Sequence, residues 1–588
     1  MLDTELRQDL PSVIPVGSPS FPSAAGNIPG TGFDSVDEAL RVLRANSDTW
    51  VKLDIDERIA ILDQIRVDLL AVSDRWIAVT LEAKGIPAGT FGEMEEWVLV
   101  AALFRMIRVL RQSLVDIKRH GRPRIPGPVA LRPDGQVTVP VFPQTLFDRI
   151  VYQGISGEVR MEPEVAPEDV TRSQAQAYRE GTNEGQVVAV LGAGNLGMLP
   201  IGDFVHKVFV EKKVALLKLN PVNDYIGPLV EEGFAALVSR GFLQVAYGGA
   251  DVGSYLCHHD AVDEIHMTGS DKTFAAIMFG TGPEGASRKA NGTPVLDKPL
   301  TGELGNVNPV IVVPGEWDED DISAQAVRLA SWLAYNAGCN CITPRVIIQH
   351  RNWTHRDRLV NALKDALSEL PTRKAYYPGA LDRHGAIIGT HPDAQLLGEA
   401  GPDHIPWTLV PDVDPTQAGD ICFRTESFYG QFSETALDAS SASEFLDRAV
   451  GFANSTLWGN LAATLIVHPK SFRDPQIKPA IERAIARLRY GWVCVNFYPG
   501  IAYTLRVSPH GAFPGNEISD IQSGVGVVNN YLMLEGTQKS VFRAPFKNMR
   551  EPMLFTSKNM DFGRTLAQFE ASPSLWNLSR LGWGLMRS

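Results

Sequence analysis

Cys341 stands in the run YNAGCNCITPRVII, where a helix ending at Gly338 passes through a loop into a strand. Beside a helix boundary and backbone amides a cysteine can be held as the thiolate, the nucleophilic form, whereas an unperturbed thiol is mostly protonated at about pH 7. Cys341 is therefore a candidate nucleophile. The competing reading is a core filler, because free cysteine is among the most buried residue types. Zinc ligation by Cys339 and Cys341 is the weaker idea, since no second Cys/His pair lies at finger spacing. Glu303, 38 residues before Cys341 in KPLTGELGNVNP, comes just before a strand and taken alone is a solvated acid. Gly192, Gly194 and Gly197 spell GxGxxG between a strand and a helix, where a dinucleotide-binding turn belongs. Such a site also wants an acid at the end of the next strand, for the ribose hydroxyls. Here VALLKLN ends with Lys218 and Asn220, so a dinucleotide must be held differently or carry a 2′-phosphate.

The elements that must carry these residues form an α/β pattern. From Ser35 the chain is helical, with apolar faces at Val36, Leu40, Val42 and Leu43, then at Ile59, Leu62, Ile65 and Leu69 behind the capping candidates Asp54 and Asp56. A third helical region runs from about Glu93 to His120. Pro-rich sequence follows, and IVYQGISGEVRMEP reads as a hairpin turning through Gly154 to Gly157. After Gln186, strands (VVAVL, VALLKL, LQVAYG, EIHMTG) alternate with helices, which specifies a parallel sheet covered on both faces. A second α/β series begins from Glu303 with the strand PVIVV. The acidic run EWDEDD at 316–321 is accounted for as the N-terminus of the helix ISAQAVRLASWLAY. The string CHHD at 257–260 reads as a solvated connection rather than a metal site, because adjacent side chains diverge.

Taken together, these pieces resemble the aldehyde dehydrogenase superfamily over roughly residues 35–530. The resemblance rests on the Trp50…Arg58…Leu62 pattern, the strand–Asn195–helix–Lys218 unit, HMTGS at 266–270, ELGNVNP, NAGCNC, TESFYG at 425–430 and NSTLWGNLAA at 454–463, all in family order. It implies oxidation of an aldehyde to a carboxylic acid with NAD or NADP. Cys341 matches the nucleophile, and Asn195 with the Cys341 backbone N–H matches the oxyanion hole. Glu303 matches the base that activates water against the thioester, so Glu303→Gln should block deacylation and spare the first hydride burst. Lys218 matches the residue gripping the adenosine ribose, Gly269 and Ser270 the turn at the pyrophosphate, Glu426 the acid on the nicotinamide ribose, and Phe428 the ring beside the nicotinamide. No metal is assigned. With Asn195 committed to the oxyanion, the three glycines need not be a dinucleotide cradle.

Several positions depart from the family pattern. Pro221 stands where an acid often repels a 2′-phosphate, Cys339 replaces the usual Gln, ELGG is ELGN with Asn306, and the late Gly-rich stretch is only echoed by HGAFPGN at 510–516. Cys339 and Cys341 could in principle bridge, though close neighbours rarely close an unstrained disulfide. A CoA-acylating relative, in which a thiol replaces water, is the alternative activity. A non-catalytic protein on the same fold is the third reading, opposed by retention of Cys341, Glu303, Asn195, Lys218 and Glu426.

Composition bounds these expectations. The 588 residues carry 44% hydrophobic and 21% charged side chains, the profile of a folded globular chain, and a net charge of −13 that argues against general nucleic-acid binding. Five cysteines make no disulfide framework, and the N-terminus carries no secretory signal, so a cytoplasmic home is expected. The expected fold is a Rossmann-like cofactor domain (35–148 and 185–302), an α/β catalytic domain (303–505) and an oligomerisation element (149–184 and 506–548). Residues 1–34 form an arm to which no chemistry is given, and 549–588 an aromatic extension. That extension could anchor at a membrane interface; packing on its own or a partner subunit is preferred. The resemblance implies a small-molecule aldehyde as partner and a homodimer or homotetramer.

Overall fold

The computed structural model describes residues 16–19, 21–179, 184–547 and 553–585. Most of the arm's first half (1–15 and 20), residues 180–183 and 548, and the extension's 549–552 and 586–588 with the side chain of Trp583 lie outside them. Among the described residues the strands build one sheet of six, one of eleven and a two-stranded pair. The six-stranded sheet runs in the order Gly524–Val525, Leu300–Leu304, Glu264–Gly269, Val187–Leu191, Val214–Lys218, Leu243–Ala246. Its members pair in parallel except the first, which is antiparallel. The runs VVAVL and VALLK are apolar at nearly every position because helices cover both faces of a parallel sheet.

The eleven-stranded sheet has a parallel centre in which Asn308–Val312 lies between Ala462–Ile466 and Pro344–His350. Antiparallel strands Val137–Phe142 and Ser156–Met161 extend it beyond Thr537–Arg543. The expected hairpin through Gly154 and Gly157 does not form. Residues Leu146–Val151 are helical, fixed by a capping box in which Asp148 N–H donates to Thr145 Oγ1 at 3.1 Å, and Ser156–Met161 pairs with the earlier strand instead. Glu303, expected just before a strand, lies inside one. Its segment TGEL pairs with Glu264–Gly269 in the six-stranded sheet, and only then does the chain cross to the eleven-stranded one.

Three helices, Phe33–Lys52, Ile55–Lys84 and Phe91–His120, pack beside the six-stranded sheet. Asp54 caps the second in a reciprocal box with Glu57, and Trp50 stacks under the Arg58 guanidinium at 4.2 Å while its indole donates to Val208 O. The acidic run before Glu319–Ala334 caps that helix through Asp318 and Asp321. Residues of the C-terminal extension form the helices Phe562–Ala571 and Leu575–Leu585, the first packed on Phe91–His120. There Gly563 lies so close to Met94 O and Trp97 that any Cβ would collide. Beneath it Arg105 bridges Glu570 and Asp148, each at 2.9 Å, all nearly sealed from water, and Arg108 joins Glu570 at 2.5 Å. Leu575 and Trp576 remain exposed on the last helix. No helix among the described residues is long and apolar enough to cross a membrane.

Removing one partner from a buried ion cluster strands the others without water. Glu570→Ala should therefore lower stability by about 3–5 kcal/mol, read as a fall in the denaturant midpoint; an unchanged midpoint would show that the tail is not part of the core.

Candidate active site

The nucleophile candidate is held by a strained turn. Helix Glu319–Ala334 ends in a short turn, Tyr335–Gly338, where Asn336, Ala337 and Gly338 take φ of 50°, 54° and 76°. Three successive left-handed residues persist only where surroundings over-determine them. Gly338 approaches Gly430 so closely that a Cβ would lie 2.6 Å from its nitrogen, and Arg345 clamps Gly338 O at 2.5 Å. Asn336 Nδ2 donates to Asn195 O at 3.1 Å and to Cys339 O at 3.0 Å, tying the loop to the first strand–helix turn of the other sheet. Asn195 Nδ2 also donates to Cys339 O at 2.9 Å, and since an amide nitrogen carries two hydrogens, one is left for a ligand.

Cys341 Sγ donates to Glu303 Oε1 at 3.1 Å, so the two candidates that are 38 residues apart in sequence meet across the junction of the sheets. The thiolate expected from the helix boundary is not what this site favours. Burial, followed by the negative charges of Glu303 and Glu426, pushes the Cys341 thiol well above its ordinary range. Cys341 is a neutral thiol with a carboxylate in contact that can take its proton, while the charge of that carboxylate holds the thiol back from ionising on its own. Cys339 is buried, donates to Phe428 O at 3.4 Å, and burial pushes its thiol to about 11; it is free, as are all five cysteines. It packs rather than bridges.

A cleft of about 1720 Å³ opens at the carboxyl ends of the six-stranded sheet and reaches Cys341 and Glu303. Ligands of open α/β sheets bind at such strand ends. Lys218, Gly269, Ser270, Glu426 and Phe428 all line it. Burial pushes the Lys218 ammonium down to about 8, so a ligand offering oxygen atoms would relieve it. Ser270 caps the helix Asp271–Phe279, whose amino end faces the cleft. Glu426 is raised to about 7, chiefly by burial and against the pull of Arg345. Of the three glycines, Gly192 and Gly194 line the cleft, but added Cβ atoms would strike Pro200 and Asn220, and at Gly197 would crowd Trp76. Close packing alone accounts for them.

A second, small and mainly apolar cavity also reaches Cys341, walled by Leu199, Ile342, Tyr498, Tyr503 and Met553. Phe209, on the same helical run as Leu199, is instead core, packed edge-on against Trp50. In the CHHD string, Cys257 and His258 belong to the helix Ala250–His258, with Cys257 fully buried, and His259 pairs with Asp37 at 3.2 Å. Potential ligand atoms do converge in two other places among the described residues: Glu303, Cys341 and His510, and His391, Asp420 and Cys422. The second is a capped turn, Asp420 accepting from Cys422 N–H at 2.8 Å.

Residues 227–389 match the family model described as "Aldehyde dehydrogenase family". An N-succinylglutamate 5-semialdehyde dehydrogenase of Sphingopyxis alaskensis is 29% identical over 216 residues, 37% of this chain and 38% of that protein. The aldehyde dehydrogenase LUC3 of a Fusarium species is 26% identical over 207 residues, 35% and 38% of the two chains. The aligned part thus spans less than two fifths of the curated relatives. Aldehyde dehydrogenase C of Pseudomonas syringae, solved with NAD+ and octanal, superposes with a TM-score of 0.59 at 16% identity over 90% of this chain and 94% of that one. The glyceraldehyde-3-phosphate dehydrogenase GapN of Methanocaldococcus jannaschii, solved with NADP, gives 0.58 at 16% over 90% and 99%. The chain has the aldehyde dehydrogenase fold, and its residues 227–389 match that family.

On this aldehyde dehydrogenase fold, three site features escaped sequence reasoning. His510 Nε2 lies 3.2 Å from Glu303 Oε1. Glu95 and Glu96 reach the apolar cavity, the first raised to about 7 by burial. The arm, given no chemistry, forms a wall of the cleft: Gly17 bridges to Thr425, Ser18 Oγ donates to Glu426 at 3.4 Å, and Phe21 packs edge-on against Phe428 and Tyr377. Residues 1–34 are rich in Pro, Gly and Ser, a texture compatible with an arm lying on another surface but silent about which one.

The charge argument predicts a direction. Glu303→Gln removes an anion facing Sγ, which favours the thiolate, so the onset of Cys341 alkylation by iodoacetamide should move to lower pH; an onset unchanged or higher would contradict the contact.

Proposed function

We propose that the protein oxidises an aldehyde to a carboxylic acid with NAD or NADP. The observation that carries this reading is the Cys341–Glu303 contact placed where a strand-end cleft and an apolar cavity meet. The residues present fit the dinucleotide. Lys218 would take the adenosine ribose, Gly269 and Ser270 the pyrophosphate at the helix amino end, Glu426 the nicotinamide ribose, and Phe428 the nicotinamide ring. Lys218 and Asn220 with Pro221, lacking an acid, leave room for a 2′-phosphate as well as a hydroxyl. When bound, the nicotinamide accepts hydride.

The aldehyde enters through the apolar cavity to Cys341. Sγ forms a bond to the carbonyl carbon, the thiol proton passes to Glu303 Oε1, and the oxygen that becomes negative is met by the spare Asn195 amide hydrogen and the Cys341 N–H. Loss of hydride from the thiohemiacetal carbon leaves a thioester on Cys341. Once Glu303 has lost its proton to solvent, it takes one from water, which adds to the thioester carbon and expels the sulfur. Glu303 Oε2, buried without a protein partner, is the oxygen left for that water. A carboxylate already in contact with the sulfur supports hydrolysis over transfer to CoA. The strands Ser156–Met161 and Thr537–Arg543 are the proposed oligomerisation element, for a dimer or tetramer.

The test is formation of reduced nicotinamide across an aldehyde panel, with and without CoA. Turnover that needs no CoA, falls by about 10²–10³ in Asn195→Ala and vanishes in Cys341→Ala is expected. Turnover that needs CoA would assign the acylating activity, and undiminished turnover in Cys341→Ala would end the mechanism. Phe21→Ala, which removes one wall of the cleft, should raise the Kd of the nucleotide several-fold, roughly the loss of one aromatic contact; unchanged binding would make the arm's position incidental.

A further inference from the structure

We propose that His510 is a positioning residue for Glu303, its imidazole gripping the same carboxylate oxygen that the Cys341 thiol meets, so that this oxygen stays aimed at the sulfur and the other stays open to water. The inference rests on the reading of Glu303 as the water-activating base. Glu303 Oε1 is shared, with Cys341 Sγ at 3.1 Å and His510 Nε2 at 3.2 Å, while Oε2 has no protein partner. The three ligating atoms lie within 4.8 Å of one another.

The imidazole has one polar side-chain contact, and its surroundings leave it no other. His510 is 1% exposed, and its Nδ1 is buried without a hydrogen-bond partner. Trp492 and Tyr503 box the ring edge-on, with centroids at 5.1 and 4.7 Å. The backbone is pinned too: His510 N–H donates to Val528 O at 2.9 Å, Val528 N–H returns to His510 O at 2.8 Å, and Trp492 Nε1 donates to Pro509 O at 2.8 Å. Gly511, next in the chain, lies where a Cβ would be 2.4 Å from Gly526 O. A ring that can neither turn nor find a second partner, in a pocket an apolar side chain would fill without loss, is explained by its hold on Glu303. With a carboxylate opposite Nε2, the tautomer carrying its hydrogen on Nε2 donates and leaves Nδ1 as the bare nitrogen.

The same geometry keeps Glu303 off alternative partners. Cys341 is faced by Glu303, Glu426 and Tyr498, and Glu303 by Cys341, His510 and Tyr503. Among these His510 is the neighbour whose ring nitrogen approaches Glu303 Oε1, at 3.2 Å and beside the thiol. Without it the carboxylate is free to swing from the sulfur, which eases ionisation of the thiol but leaves the attacking water without an aimed base.

The experiment compares wild type, His510→Phe, which keeps a ring and removes the donor, His510→Gln, which keeps a donor at similar reach, Glu303→Gln and the His510→Phe/Glu303→Gln double variant. Cys341 alkylation by iodoacetamide is followed against pH without aldehyde or nucleotide, and turnover and the first hydride burst are followed with both. His510→Phe should lower kcat roughly tenfold or more with KM within about twofold, spare the burst, and move the alkylation onset down as Glu303→Gln does. The double variant should move it no further than Glu303→Gln alone. His510→Gln should restore turnover to within about threefold of wild type, together with its alkylation onset. A wild-type alkylation profile in His510→Phe, or a His510→Gln as impaired as His510→Phe, would overturn the inference. Should His510→Phe fail to fold, His510→Met is the donor-free comparison. Wild-type protein that turns over no aldehyde would end the proposed activity, yet the alkylation series would still decide what His510 does.

Discussion

One carboxylate, Glu303, joins the two halves of this molecule. It stands on the last parallel strand of the six-stranded sheet and accepts a hydrogen bond from Cys341, which is carried by a loop feeding the eleven-stranded sheet. The contact exists only if both sheets keep their relative placement. The features around it read as means to that end: the crossing at residues 305–307, the left-handed turn at 336–338, the Arg345 clamp on Gly338 and the Asn336 bridge to Asn195. A buried acid beside a buried thiol disfavours the thiolate. The site therefore keeps the proposed nucleophile neutral at rest and places the proposed base at contact distance.

The segments beyond the common core reach the same centre. The arm places Ser18 on Glu426 and Phe21 on Phe428, the two residues matched to the nicotinamide half of a dinucleotide. The C-terminal extension contributes Met553 to the apolar cavity, while Tyr335, on another wall, donates to Met553 O at 2.7 Å; Glu570 is buried under Arg105 and Arg108. Neither end is an appendage.

Much of this was legible from local pattern. The alternation of apolar runs with helices after Gln186 specified the parallel sheet, and the position of Asn195 between a strand and a helix, of Lys218 at a strand end and of Cys341 after a helix end placed each at the rim of one cleft. What pattern could not supply was burial and long-range contact. The thiolate expected for Cys341 failed because helix-boundary logic ignores how completely the sulfur is enclosed and which charges face it. The hairpin at Gly154 failed because the Thr145–Asp148 box, backed by the Asp148–Arg105 pair, makes a helix of the segment expected as its first strand, although the chain does turn at residues 152–154. His510 was visible only as part of an altered stretch, HGAFPGN. Its partner lies 207 residues earlier, and no spacing links them.

The central claim is that Cys341 carries the acyl group and Glu303 releases it. Mass spectrometry of Glu303→Gln protein mixed with a substrate aldehyde and NAD or NADP tests it directly. An adduct of the acyl mass on the peptide containing Cys341, persisting where wild type shows none, is the predicted result; an unmodified Cys341 alongside acid production at the wild-type rate would contradict it.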